Sequence, residues 1–217
     1  DAAGNQVTSE FLVNATPAGD QDLPGVTALA GGGFVASWQS QNGTTTDVMA
    51  RVFDATGTAA GTDITLNSLT AGNQGAPDLS ALPGGGFIAI WGSDTPAQGD
   101  SSGAGIKARV FDASGTQIEA ETLINTLTTG DQSAPAVATL ANGTLVAVWT
   151  ADAPTQGDTA GTAIKARVMT QDGTTGTAEF LVNDETKGIQ RGAVRHMAKG
   201  VTTRVQARRR LVLRRVV

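Results

Sequence analysis

The stretch GFIAIWG (86–92) is apolar from Phe87 to Trp91, with Phe87, Ala89 and Trp91 on one face of an extended chain and Ile88 and Ile90 on the other. A strand apolar on both faces is a strand covered on both faces. Farther along, IKARVF (106–111) alternates: Lys107 and Arg109 share one face, and Ile106, Ala108 and Val110 the other. That pattern predicts a strand with one buried face. It runs into DASG, where Asp caps a turn and Gly takes a left-handed backbone. The same strand and turn recur as MARVFDATGT (49–58) and KARVMTQDGT (165–174).

Aligning the chain on itself gives three units. They run from Asn14 (NATPAGDQDLPGVTALAGGGFVASW), Asn67 (NSLTAGNQGAPDLSALPGGGFIAIW) and Asn125 (NTLTTGDQSAPAVATLANGTLVAVW). Each ends on a short strand, DITLN, ETLIN or EFLVN, and the Asn anchors are spaced by 53, 58 and 58 residues. The missing five residues fall in one loop, between Trp38 and Arg51, as a solvent-facing connection tolerates. The organisation expected is residues 1–13 as the last strand of a preceding repeat, then repeats over 14–66, 67–124 and 125–182, with 183–190 opening a fourth.

Within the first unit the strands are expected at Val26–Leu29, Phe34–Trp38, Val48–Phe53 and Ile64–Leu66. Four antiparallel strands in about 55 residues make one β-propeller blade. The fold class is therefore all-β, tandem four-stranded antiparallel repeats forming β-propeller-like blades, with a three-fold β-prism as the alternative. Propellers have about four to eight blades, so three units imply self-association or further repeats of a longer parent chain.

Composition adjusts this picture in three ways. Cysteine is absent, which removes disulfides and thiol chemistry. No stretch approaches the roughly 20 apolar residues of a membrane span. All 20 acidic residues lie at or before Glu185, while nine of the 15 basic residues follow position 190. The acidic body (1–190) argues against nucleic acid as a partner. The basic tail, 191–217, could bind nucleic acid or an anionic membrane. It loses the repeat register abruptly and contains no acid, as out-of-frame translation of a GC-rich gene would, so it is expected to be foreign to the repeat. The chain starts at Asp1 without an initiator Met or signal pattern, which reads as a piece of something longer.

Three recurring residue types are candidate sites. Asp94 and Asp100 match Asp152 and Asp158 in Gly-rich loops, and such carboxylates suit Ca²⁺, the one cofactor the sequence suggests. The competing reading is that they cap turns. Trp38, Trp91 and Trp149 are candidate sugar-stacking platforms, or blade core. Arg51, Arg109 and Arg167 are candidate ligand contacts, or make a repeated bond to a carboxylate or carbonyl. No catalytic residue is assigned: His196, the single histidine, lies outside the repeat, and the carboxylates repeat with the units instead of marking one place.

The motifs Asn-x-x-Thr-x-Gly-Asp-Gln, Gly-Gly-Phe-Val-x-x-Trp and Arg-Phe-Asp-x-x-Gly, over residues 1 to about 190, resemble tandem repeats of large secreted bacterial proteins. Those proteins are associated with hemolysin-type (RTX) calcium-binding nonapeptides, and this chain lacks the Gly-Gly-x-Gly-x-Asp nonapeptides themselves. The resemblance implies an extracellular or cell-surface location and a structural or adhesive module that binds weakly through many loops, and no enzyme. A glycan-binding lectin is the alternative, and a carbohydrate-active enzyme the third reading.

Overall fold

The computed structural model describes residues 9–95, 100, 102–152, 161–174 and 176–183, and strands are the only regular elements among them. They are β1 (Gln21–Ala28), β2 (Phe34–Asn42), β3 (Thr45–Phe53), β4 (Ile64–Thr65), β5 (Gln74–Ala81), β6 (Phe87–Ser93), β7 (Gly105–Phe111), β8 (Thr122–Leu123), β9 (Gln132–Thr139), β10 (Leu145–Ala151), β11 (Ala163–Met169) and β12 (Phe180–Leu181). Each consecutive four form one antiparallel sheet in sequence order. These sheets are blades 1, 2 and 3. The start of a fourth unit beyond Asn183 and the basic tail lie outside the described residues.

The blades stack face to face, with inner strand β5 lying against both β1 and β9. Phe87, Ala89 and Trp91 of β6 pack against Val35 of β2 and Val48, Ala50 and Val52 of β3. The other face of β6, Ile88 and Ile90, packs against Leu145, Ala147 and Trp149 of β10. The doubly apolar pattern of GFIAIWG is thus accounted for: β6 lies between two interblade cores. This stacking is propeller-like, and the β-prism is set aside.

Two elements depart from the sequence reading. β1 starts at Gln21, five residues before the expected Val26, because the strand continues through a bulge between Asp22 and Gly25. Pro24 sits in that bulge, where its missing N–H leaves no ladder bond unmade. The alternating strand IKARVF has no solvent face: Lys107 is fully buried, as is its counterpart Lys165.

Blades 2 and 3 are each fastened to the blade before by the same two side chains, and a third side chain closes each blade. The arginine of the third strand donates to the carbonyl that ends the preceding blade: Arg109 Nη1 to Leu66 O (3.2 Å) and Arg167 Nη1 to Ile124 O (2.7 Å). The acid heading the fourth strand accepts the next backbone N–H of that preceding blade. Glu121 Oε2 takes Ser68 N (2.7 Å), and Glu179 Oε2 takes Thr126 N (2.9 Å). The unit-opening asparagine closes the blade behind it. Asn67 Oδ1 accepts Val48 N (2.9 Å), Asn125 Oδ1 accepts Ile106 N (2.7 Å) and Asn183 Oδ1 accepts Ile164 N (2.8 Å). These three asparagines are nearly inaccessible because their amides replace ladder bonds where the strand ends.

Candidate active site

Antiparallel order puts the starts of β1, β5 and β9 at the same end of the stack as the loops β2–β3, β6–β7 and β10–β11. The Gly-Asp/Asn-Gln motif shapes each inner-strand start. A left-handed glycine (Gly19, Gly72 or Gly130, φ 71–75°) turns the chain. The following glutamine donates Nε2 back to the turn: Gln21 to Ala18 O, Gln74 to Ala71 O and Gln132 to Thr129 O, at 2.8–3.3 Å. Gln74 Oε1 also accepts the indole Nε1 of Trp91 (3.3 Å), so the tryptophan's polar atom is satisfied inside the blade.

Two residues after each glutamine stands a non-glycine residue with positive φ: Leu23 (51°), Ala76 (52°) and Ala134 (49°). Each precedes a proline, Pro24, Pro77 or Pro135. Such a conformation costs on the order of 1–3 kcal/mol and is retained where the surroundings dictate it. Here it re-aims the inner strand, as bulges beside functional sites do.

The carboxylates of this end fall into two groups. Some are committed to the fold. Asp94 accepts both the backbone N–H and the Nδ2 of Asn73 (the latter at 2.7 Å), and its own N–H returns to Asn73 O. Asp100, 3% exposed, accepts Asn125 Nδ2 (3.1 Å) and Ser102 N (3.1 Å). Asp47 takes the corresponding place in blade 1 through Asn67 Nδ2 (2.7 Å). Others keep free oxygens. Asp20, Asp22 and Asp152 are exposed, with side chains that bond no described residue, and Asp131 engages Oδ1 alone, with Ala104 N (3.0 Å). Asp22 also breaks the repeat, since Gly75 and Ser133 hold its position in the other inner strands. The five basic residues among the described ones lie on β3, β7 and β11, leaving this end acidic.

The remaining sequence-predicted residues are placed as follows. Trp91 and Trp149 are fully buried and Trp38 is 6% exposed, all within sheet faces. Arg51, Arg109 and Arg167 make the interblade bonds, Arg51 reaching Val13 O (3.1 Å). Asp158 lies outside the described residues. No group of three His, Cys, Asp or Glu side chains able to hold a metal exists among the described residues. The calcium-binding expectation is corrected: Asp94 and Asp100 direct their oxygens to backbone and amide donors.

Sequence reasoning missed the buried cations. Lys165 Nζ lies 3.9 Å from Glu179 Oε1, with both side chains essentially inaccessible. Burial lowers the Lys107 pKa, and Glu121 and then Asp100 oppose that shift. Burial likewise lowers Arg109 and Arg167, against the pull of Glu121 and Glu179 respectively. The signal was available as a covariation among units: Lys faces a Glu in units two and three, whereas the first has Met49 and Asp63.

No protein-family model and no curated protein sequence matches the chain. Solved structures do. The chain is similar to an endo-arabinase from Bacteroides thetaiotaomicron VPI-5482, with a TM-score of 0.52 and 17% identity over 81% of this chain and 67% of that one. It is also similar to a thermostable family-43 glycoside hydrolase, with a TM-score of 0.51 and 12% identity over 74% of this chain and 54% of that one. A protein of unknown function from Dyadobacter fermentans DSM 18053 has a TM-score of 0.51 and 16% identity over 72% and 39% of the respective chains. At these identities the likeness is one of fold, and the chain spans about half to two thirds of the two hydrolases.

These comparisons overturn the resemblance to RTX-associated secreted adhesin repeats, and with it the structural or adhesive role and the expectation of no enzyme. The architecture is one that glycoside hydrolases use. The physical reason for the misreading is plain in the structure. Gly-Asp-Gln, Arg-Phe-Asp-x-x-Gly and the unit-opening Asn are the turn and fastening residues of a blade, so they report architecture and not an adhesive function.

Proposed function

We propose that this protein is a carbohydrate-active enzyme that cleaves glycosidic bonds at the acidic end of the stack. One observation carries the reading: carboxylates with free oxygens collect at the strained starts of the inner strands, in a fold shared with an endo-arabinase and a family-43 glycoside hydrolase. Glycoside hydrolysis needs two carboxyl groups. One, protonated, gives its proton to the glycosidic oxygen as the bond to the anomeric carbon breaks. The other, ionised, takes a proton from the water that attacks that carbon. Asp22 is assigned one of these roles because it is exposed, unbonded and absent from the other repeats, and Asp131, immediately before β9, is the nearest in character. The lectin reading has less support, since the three tryptophans are enclosed in sheet faces.

The test is reducing-sugar release by the full chain from arabinan, xylan and β-glucan. Turnover on one of them is expected, with Asp22→Asn lowering kcat by about 10²-fold or more, the contribution of a positioned acid or base. Asp94→Asn is expected to keep most activity and lose some stability. A wild-type chain inert on all three polymers overturns the reading.

A further inference from the structure

Gly75, at the start of β5, is a glycine that the backbone does not require. Its φ is not positive, unlike that of Gly72 (71°) three residues earlier. What requires it is a neighbour. A Cβ at position 75 would overlap Oε1 of Gln39 and stand 3.2 Å from its Cδ. The amide of Gln39, from β2 of blade 1, thus occupies the place that a side chain on β5 of blade 2 would take. Room for a close neighbour is one of the uses of glycine in a strand.

The repeat shows what that place is. The residue equivalent to Gly75 is Asp22 in blade 1 and Ser133 in blade 3. The residue after the tryptophan is Gln39 in blade 1, Gly92 in blade 2 and Thr150 in blade 3. Where blade 1 meets blade 2, the inner strand has glycine and the preceding blade supplies Gln39. Where blade 2 meets blade 3, the preceding blade has Gly92 and the inner strand supplies Ser133. One polar side chain serves each junction, from alternate sides. Gln39 therefore holds for blade 2 the place that Asp22 holds for blade 1.

This place lies at the acidic end, and Asp22 is also the register partner of Gln39 across β1 and β2. The amides of Gln21, Gln74 and Gln132 are tied to their turns. Gln39 is half-buried, and its side chain bonds no described residue. Its strand is held in register, with Val48 opposite Gln39 on β3. Thr46 Oγ1 donates to Gln74 O (3.0 Å), which holds the start of β5 on blade 1. A primary amide carries both donors and an acceptor, so it can pair with a hydroxyl in either sense. Carried on paired strands, it is positioned before a ligand arrives.

We propose that Gln39 is a substrate-binding residue, whose amide, laid over Gly75, hydrogen-bonds a hydroxyl of the sugar beside the bond that the carboxylates cleave. The cleavage rests on the glycoside-hydrolase reading above, whereas the sugar contact rests on Gln39 and Gly75.

The test is titration of isotopically labelled full chain with arabino-, xylo- and β-gluco-oligosaccharides, following the side-chain amide signals of Gln39 by NMR. Their loss from the spectrum of Gln39→Ala identifies them. Saturable movement is expected with one of the three sugars. Gln39→Ala is expected to weaken its binding about 3- to 10-fold, the worth of one hydrogen bond, with the urea midpoint unchanged. Gly75→Ala displaces the amide and is expected to weaken binding as much. The double substitution should be no worse than either single one, since both remove the same contact. Additive losses, or a Gln39 amide that stays still with all three sugars, overturn the proposal whether or not the polymers are cleaved. If Asp22→Asn then lowers kcat, the hydrolase reading stands without Gln39. A chain inert on the polymers whose Gln39 amide still responds to sugar overturns the hydrolase reading and keeps the sugar contact.

Discussion

At the scale of single residues, the structure rests on polar side chains that replace backbone partners where strands end. Asn125 is the clearest case: it accepts Ile106 N and donates to Asp100 and to Leu127 O, all in a nearly closed environment. Asn125→Ala leaves the buried Ile106 N–H without a partner, at a cost of about 1–3 kcal/mol, and leaves Asp100 with the Ser102 N–H but without its amide donor. The expected outcome is a clear drop in the urea midpoint with an unchanged m-value. An unchanged midpoint would show that water serves Asp100 equally well. The buried lysines make the opposite prediction for pH. Burial depresses Lys107 in the folded state below the ordinary lysine value of 10.5. The unfolded chain therefore binds more protons between the depressed pKa and that ordinary value, and stability rises with pH across that window. Lys107→Met, which copies Met49 of blade 1, is expected to flatten this rise in thermal melts recorded from neutral to alkaline pH. The turn carboxylates behave in the other sense. Hydrogen bonds from Thr56 hold Asp54 below 3.8, and those from Ser114 do the same for Asp112. Their contribution is present above that value and is lost as pH falls through the lowered pKa.

At the scale of elements, legibility depended on whether a residue's role was local. The second and third strands and the Asp-x-x-Gly turns follow from pattern, because β6 is apolar on both faces, β7 is apolar on one, and Gly57 and Gly115 adopt positive φ. The inner strands were only half legible. Val26 and its neighbours marked their ends, but Pro24 and Asp22 disguised their starts, because a bulge with a left-handed residue before proline leaves no periodic trace. The burial of Lys107 and Lys165 was illegible for a different reason. A Lys-x-Arg alternation reads as a solvated face unless the opposing Glu is known to lie on the neighbouring strand. The bulge also carries a test. Ala76 pays a left-handed penalty that glycine avoids, so Ala76→Gly should be neutral or stabilising by up to about 1 kcal/mol in urea unfolding, against the usual cost of glycine in a strand. Loss of more than that would mean the Ala76 methyl group contributes packing that outweighs the strain.

At the scale of the molecule, repetition and its exceptions divide the labour. What repeats, namely the arginine, the acid, the asparagine and the tryptophan, closes each blade or joins it to the next, and that is why it dominates the sequence and why motif resemblance alone misled about function. Among what does not repeat, Asp22 stands against Gly75 and Ser133, and Asn73 against Asp20 and Asp131. Those exceptions gather at one end of the stack, and the sequence offered no way to see that they do, since they lie far apart along the chain and only the face-to-face stacking of blades brings their strands side by side. The proposed function is therefore a placement, with carbohydrate proposed to meet this protein at the starts of the inner strands. It is tested most directly by titrating isotopically labelled full chain with arabino-oligosaccharides and following backbone amide shifts by NMR. The account predicts saturable shifts confined to residues around Gln21–Asp22, Asn73–Gln74 and Asp131–Gln132. Shifts centred on the opposite turns, at Asp54–Gly57 and Asp112–Gly115, or no shifts with any oligosaccharide at millimolar concentration, would contradict it.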